Sequence, residues 1–188
     1  GGQYSLGAHL YVPEGGVTFA NRLVTGPNDQ GVNTFCLHLN GQTITGGSAG
    51  STIYQRAKAI LNIMGDGAIT GYNNATELIT GRSSTINVYG GTLSMAKGNT
   101  NPVVKMETGT INVYGGTVDG EITMSGAGTV GLNGGSVSKV PPAVSTATIN
   151  VSGAPAVGTL DLSSGAVIST ITDFEPTAVI NVLARKNT

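Results

Sequence analysis

The chain has 188 residues, with 9 Lys and Arg against 10 Asp and Glu, for a formal net charge of −1. That balance gives no electrostatic handle for nucleic acid or an anionic membrane, and no apolar run approaches the roughly 18 residues of a membrane span. A single cysteine, Cys36, excludes an internal disulfide, and charged residues make up only 10% of the chain, against roughly 25% in an average domain.

In chain order, residues 1–34 contain "YVPEGGVTF" (11–19) and the polar "TGPNDQG" (25–31), which read as a lead-in coil or cap. From residue 35 a phrase begins to recur. "LHLNGQTI" opens at Leu37, "LNIMGDGAI" at Leu61, and the near-copies "TINVYGGTL" (85–93) and "TINVYGGTV" (110–118) follow. "VGLNGGSV" opens at Val130, "INVSGAPAV" at Ile149 and the weaker "ISTIT" at Ile168. Aligned on these first apolar residues, the intervals are 24, 25, 25, 19, 19 and 19 residues. Within the units, Ile86 and Val88, Ile111 and Val113, Val130 and Leu132, and Ile149 and Val151 stand two apart. That is the period of a strand. Gly90-Gly91, Gly115-Gly116 and Gly134-Gly135 then break it.

A fainter strand precedes each main one, marked by Leu78, Val104, Ile122, Val144 and Leu160. "YQRAKAILNIM" (54–64) reads as a loop entering a strand. A coil of about 20 residues cannot bury its own apolar side chains, so it must stack on the next. The pattern predicts an all-β, parallel β-solenoid of about seven coils over residues 35–175. Residues 176–188 form a C-terminal strand, "AVINVL" (178–183), and a polar tail.

"LHLNGQTITGG" (37–47), "LNIMGDGAITG" (61–71) and the "INVYGGT" repeats resemble the right-handed parallel β-helix proteins of the pectate-lyase-like superfamily. The nearest likeness is to the repeat regions of bacterial cell-surface and secreted proteins, in which L-x-L-N-G-x-T-I-x-G opens the helix. The resemblance implies a right-handed β-helix located outside the cell or on its surface. The chain opens on Gly-Gly-Gln without a methionine, which reads as a processed or trimmed product. The implied role is non-catalytic: adhesion, contact with polysaccharide or a host or cell-wall glycan, or end-to-end assembly. The alternative is a polysaccharide lyase or hydrolase of the same superfamily with atypical site residues.

Lyases and hydrolases of that kind need clustered carboxylates. Here Asp119 and Glu121 form the closest acidic pair, followed by Asp173 and Glu175. Their i, i+2 spacing puts each pair on one strand face, with Lys97 and Lys139 in the flanking coils. The favoured reading is a surface ladder of alternating charges that limits mispairing, ahead of a metal or substrate site. "GDG" (65–67) reads as a turn in which Asp66 bonds its own backbone. His9 and His38 lack a second ligand at metal spacing, so no metal and no cofactor is expected. In "T-I-N-V-Y" the apolar pair faces inward, which turns Thr, Asn and Tyr outward. Asn87 and Asn112 beside Tyr89 and Tyr114 form either a side-chain ladder that stabilises the stacked strands or the candidate carbohydrate-binding face. The C-terminal "AVINVL", which has no recognisable cap, either leads into another domain or pairs with another copy as the candidate surface for homo-oligomerisation. No nucleic-acid partner and no membrane insertion are expected.

Overall fold

The computed structural model describes residues 8–26, 33–47, 49–141, 146–163 and 166–183. These contain twenty β-strands, numbered here in chain order, and no helix. Three faces organise them. Face A stacks β1 (Ala8–Tyr11), β4 (Asn33–His38), β7 (Ala59–Met64), β10 (Ser84–Val88), β13 (Gly109–Val113), β15 (Gly128–Leu132), β17 (Ala147–Gly153) and β19 (Val167–Phe174). Face B stacks β2 (Val17–Phe19), β5 (Gln42–Gly46), β8 (Gly67–Thr70), β11 (Thr92–Ser94), β14 (Thr117–Met124), β16 (Ser136–Val140), β18 (Ala156–Asp161) and β20 (Val179–Leu183). Face C holds β3 (Leu23–Thr25), β6 (Ile53–Gln55), β9 (Ile79–Gly81) and β12 (Val104–Met106), and continues through the far halves of β14, β16, β18 and β20.

The chain visits A, B and C in turn and returns to A. Face A pairs in parallel throughout, as in β1 with β4 and β10 with β13. Face B does the same in β11 with β14 and β18 with β20. This all-β, parallel, unclosed arrangement is consistent with a β-solenoid. Face A is eight strands deep, which spans about 34 Å at the usual strand spacing. β1 is the strand beyond the seven legible in the repeats, and β1–β3 place part of the 1–34 stretch on all three faces.

Alternation sets the core. Ile86, Val88, Ile111, Val113, Val130, Leu132, Ile149 and Val151 are all buried, stacked in register along the inner side of face A. The repeat alignment holds from Leu61 onward, with Leu61 opposite Ile86 and Ile86 opposite Ile111. At the first step it slips. Leu37 lies opposite Ile63 and Phe35 opposite Leu61, an offset of 26 where the alignment of first apolar residues gave 24. A slip of two residues keeps every side chain on its face, so the core pattern survives.

The double glycines have two different causes. Gly116 has φ +72, and a Cβ there would lie 2.5 Å from the Gly91 carbonyl oxygen. Gly115 has no such φ, yet its Cβ would lie 2.6 Å from the Tyr89 oxygen. At this corner the windings approach backbone to backbone, and any side chain would wedge them apart.

Of the fainter strands, Val104, Ile122 and Leu160 lie within β12, β14 and β18, while Leu78 stands just before β9. Val144 lies outside the described residues. The stretch 54–64 begins inside β6, turns at 57–58 and continues as β7.

Candidate functional site

The outer side of face A carries the candidate residues, and register brings them together as columns. Asn62, Asn87 and Asn112 occupy one position in successive windings. Asn87 Nδ2 donates to Asn62 Oδ1 at 2.9 Å, and Asn112 Nδ2 donates to Asn87 Oδ1 at 2.9 Å. Asn87 so spends one N–H and its oxygen on the ladder, and Asn112 spends one N–H, which leaves each of them one N–H for a ligand. The ladder stops at Gly131, where any Cβ would collide with Asn112 Oδ1.

Two residues along, Tyr89 and Tyr114 stack with centroids 4.9 Å apart and an interplanar angle of 7°. They are 47% and 46% exposed. Because the rings lie face to face, each covers one face of the other. A sugar meets ring edges, hydroxyl groups and the two outer faces of the pair, rather than a flat aromatic floor. The column continues through Asn133 and Ser152, where Ser152 Oγ donates to Asn133 Oδ1 at 2.7 Å. A third column of Thr85, Thr110, Thr129 and Thr148 runs in register beside these, with Thr129 and Thr148 hydroxyls 3.1 Å apart.

At the N-terminal end the same face holds a cluster the repeats did not reveal. His9 pairs in register with Cys36, and Tyr11 with His38. His9 Nδ1 and His38 Nε2 are 2.9 Å apart, and the Tyr11 ring stacks on His38 with centroids 4.4 Å apart. Carrying the repeat one winding upstream, "AHLY" onto "FCLH", is the signal that finds it.

The acidic pair lies elsewhere, on β14. Glu121 is in register with Lys139, whose Nζ donates to Glu121 Oε1 at 2.6 Å. The hydrogen bond to Glu121, followed by the charge of Glu121, raises the Lys139 ammonium above its ordinary value. Asp119 Oδ1 accepts from Ser138 Oγ at 3.3 Å. Both carboxylates line a cleft of about 260 Å³ beneath residues 95–101, which Lys97 also lines. The overhanging loop is pinned by Asn99 and Asn101, whose Nδ2 atoms donate to Ala75 O at 2.9 and 2.8 Å.

Asp173 and Glu175 are exposed, and Asp173 takes φ 48 at an irregularity in β19. The 65–67 turn holds through its main chain, with Gly41 N–H donating to Asp66 O at 2.6 Å. Among the described residues no three His, Cys, Asp or Glu side chains converge as a metal cage, and no helix is long and apolar enough to cross a membrane.

No family model matches this chain, and no curated protein or solved structure matches it either.

Proposed function

We propose that the chain is a non-catalytic, right-handed parallel β-helix module of the pectate-lyase-like kind, displayed outside the cell, whose work is end-to-end structural assembly. The right hand is supported by the rule for parallel crossovers, which are right-handed in about 98% of cases. The extracellular placement follows from the resemblance of the repeats.

One observation carries the assembly reading: among the described residues, the winding of β19 and β20 has an uncovered inner side. Ile171 lies in register with buried Val151 but is 62% exposed, and Val182, in register with buried Leu160, is 49% exposed. Exposed apolar side chains beside an open strand edge invite another β-layer. Val179 N–H bonds back to Pro155 O at 3.0 Å, so alternation along β20 turns the Ile180 N–H toward the open side. A second copy supplies a matching layer. Its β1–β3 belong to the same three faces, and Leu10, Val17, Phe19 and Leu23 there are only partly buried. Head-to-tail contact of this type does not close on itself, so it builds rods.

Sedimentation at several concentrations tests the reading. The native chain should associate as concentration rises, whereas Ile180→Pro, which removes an edge donor, and Val182→Lys should not. A native chain that stays monomeric throughout sinks it. Depolymerisation of acidic or neutral polysaccharides by the purified protein would instead favour the lyase or hydrolase alternative, with the 95–101 cleft as its location.

The row of part-satisfied amides beside two tyrosines favours a second reading, glycan contact at Tyr89, Tyr114, Asn87 and Asn112. Replacing both tyrosines with alanine should abolish retention on a glycan matrix while barely moving the melting temperature. Retention that survives the change removes the site from this face.

A further inference from the structure

We propose that His9 and His38 bind one late first-row divalent ion, of the class of Zn(II), Ni(II) or Cu(II), which clips the first strand of face A to the second. The proposal is independent of the end-to-end reading, and it rests on how the fold places two imidazoles 29 residues apart in sequence.

His9 Nδ1 and His38 Nε2 face each other at 2.9 Å, with ring planes only 19° apart. Two nitrogens bound to one such ion, each at about 2.0–2.1 Å, stand about 2.9 Å apart at a right-angle bite and about 3.4 Å at a tetrahedral one. The observed separation is already that of two ligands on one metal. Without a metal, one ring N–H donates to the other ring nitrogen. An ion lying off the nitrogen–nitrogen line takes a lone pair from each ring once the donor ring has given up its bridging proton and taken one from solvent on its other nitrogen, so that both imidazoles bind neutral.

The surroundings suit this exchange. Tyr11 stacks on His38 at 11° and fixes its ring orientation. The side chains in register with the pair, Cys36 and Met64, and the neighbouring Asn62 carry no positive charge to repel an ion. Imidazole selects the late first-row metals over Mg(II) and Ca(II). Water completes the coordination. Because both ligands are outward side chains on adjacent parallel strands, the ion acts as a cross-link between β1 and β4. Anything that binds the folded state alone stabilises it by mass action.

The test is calorimetric titration of the purified chain, free of any added histidine tag, with Zn(II) and with Ni(II), alongside melting curves. One equivalent should bind, and the melting temperature should rise with Zn(II) or Ni(II) but not with Mg(II). His9→Gln and His38→Gln should each weaken binding at least tenfold and remove the melting shift. Cys36→Ser should keep binding within about threefold. Each variant's far-UV circular dichroism shows whether the fold is intact, and either histidine variant alone suffices if the other misfolds. The proposal is overturned if the native chain takes up no metal, if a folded histidine variant binds like the native chain, or if Cys36→Ser alone abolishes uptake.

Discussion

Between β7 and β13 each winding steps by 25 residues, as Ser84 opposite Gly109 shows, whereas from β13 to β17 the step is 19, as in Gly109 opposite Gly128, and along β17 and β19 it grows from 19 to 21. Seven residues are lost between faces B and C and one is gained at the corner back to face A, which leaves the winding six shorter. In the longer windings, residues 71–78 separate β8 from β9 and residues 95–103 separate β11 from β12. In the first short winding β14 runs unbroken from face B into face C. Gly120, at φ +147, makes the bend, and a Cβ there would lie 2.5 Å from Val103 Cγ2. The inner column ignores the change entirely, since Ile86, Ile111, Val130 and Ile149 stay in register and buried. Period change alters the outside of a solenoid and leaves its core alone. The cleft above Asp119 and Glu121 is the direct product, the last long loop overhanging the first short winding.

The largest expected effect tests that continuity. Ile86→Ala in a long winding and Ile149→Ala in a short one should each destabilise by roughly 2–5 kcal/mol in denaturant unfolding, as fully buried aliphatic truncations do. Ile168→Ala, one winding later and only partly buried, should cost less than about 1 kcal/mol. Unequal costs for the first two would mean that the long and short windings have separate cores.

Next comes the bend. Gly120→Val places a β-branched residue at a positive φ and against Val103, and should destabilise by about 1–3 kcal/mol in the same assay. A neutral outcome would show that the short winding does not depend on this turn.

Deleting residues 96–101 should convert a long winding into a short one. The chain should remain folded, with stability changed by roughly 1 kcal/mol or less, because shortening a surface loop changes closure entropy only slightly. Loss of cooperative unfolding would show that the loop is part of the core's support.

The smallest effect concerns the charge pair of the first short windings. Lys139 is 44% exposed, so its pair with Glu121 is screened and worth about 0–1 kcal/mol. A lysine whose folded value is raised contributes stability that is complete below its unfolded value of 10.5 and is lost as pH rises through the higher folded one. Glu121→Gln should therefore reduce stability slightly at neutral pH, and the difference from the native chain should vanish in strong alkali. A difference that persists above that range would assign the effect to packing.

The sequence displayed the core of this fold because burial imposes a period of two that repeats verbatim, as "TINVY" does at 85–89 and 110–114. It displayed the first register poorly. The first apolar residues of the phrases, Leu37 and Leu61, stand 24 apart, whereas β4 pairs with β7 at an offset of 26 and β5 with β8 at 25, because the corner after His38 is one residue longer than the corner after Met64. The Asn and Tyr columns were legible as positions, but ring orientation was not, because the stack of Tyr89 on Tyr114 depends on side-chain rotation rather than on spacing. The pairing of His9 with His38 escaped notice for a different reason: β1 shares with the repeats only the placement of Leu10 opposite Leu37, and one matching apolar residue is no pattern.

Amide hydrogen exchange at low and high protein concentration tests the central claim most directly. At low concentration the amides of β10, β13 and β15 should be the most protected, and those of β19 and β20 should exchange fast. Raising the concentration should slow exchange in β19 and β20 together with β1–β3, and leave the middle windings unchanged. Fast exchange in the last winding at every concentration, or slow exchange there already in the dilute monomer, would contradict end-to-end assembly.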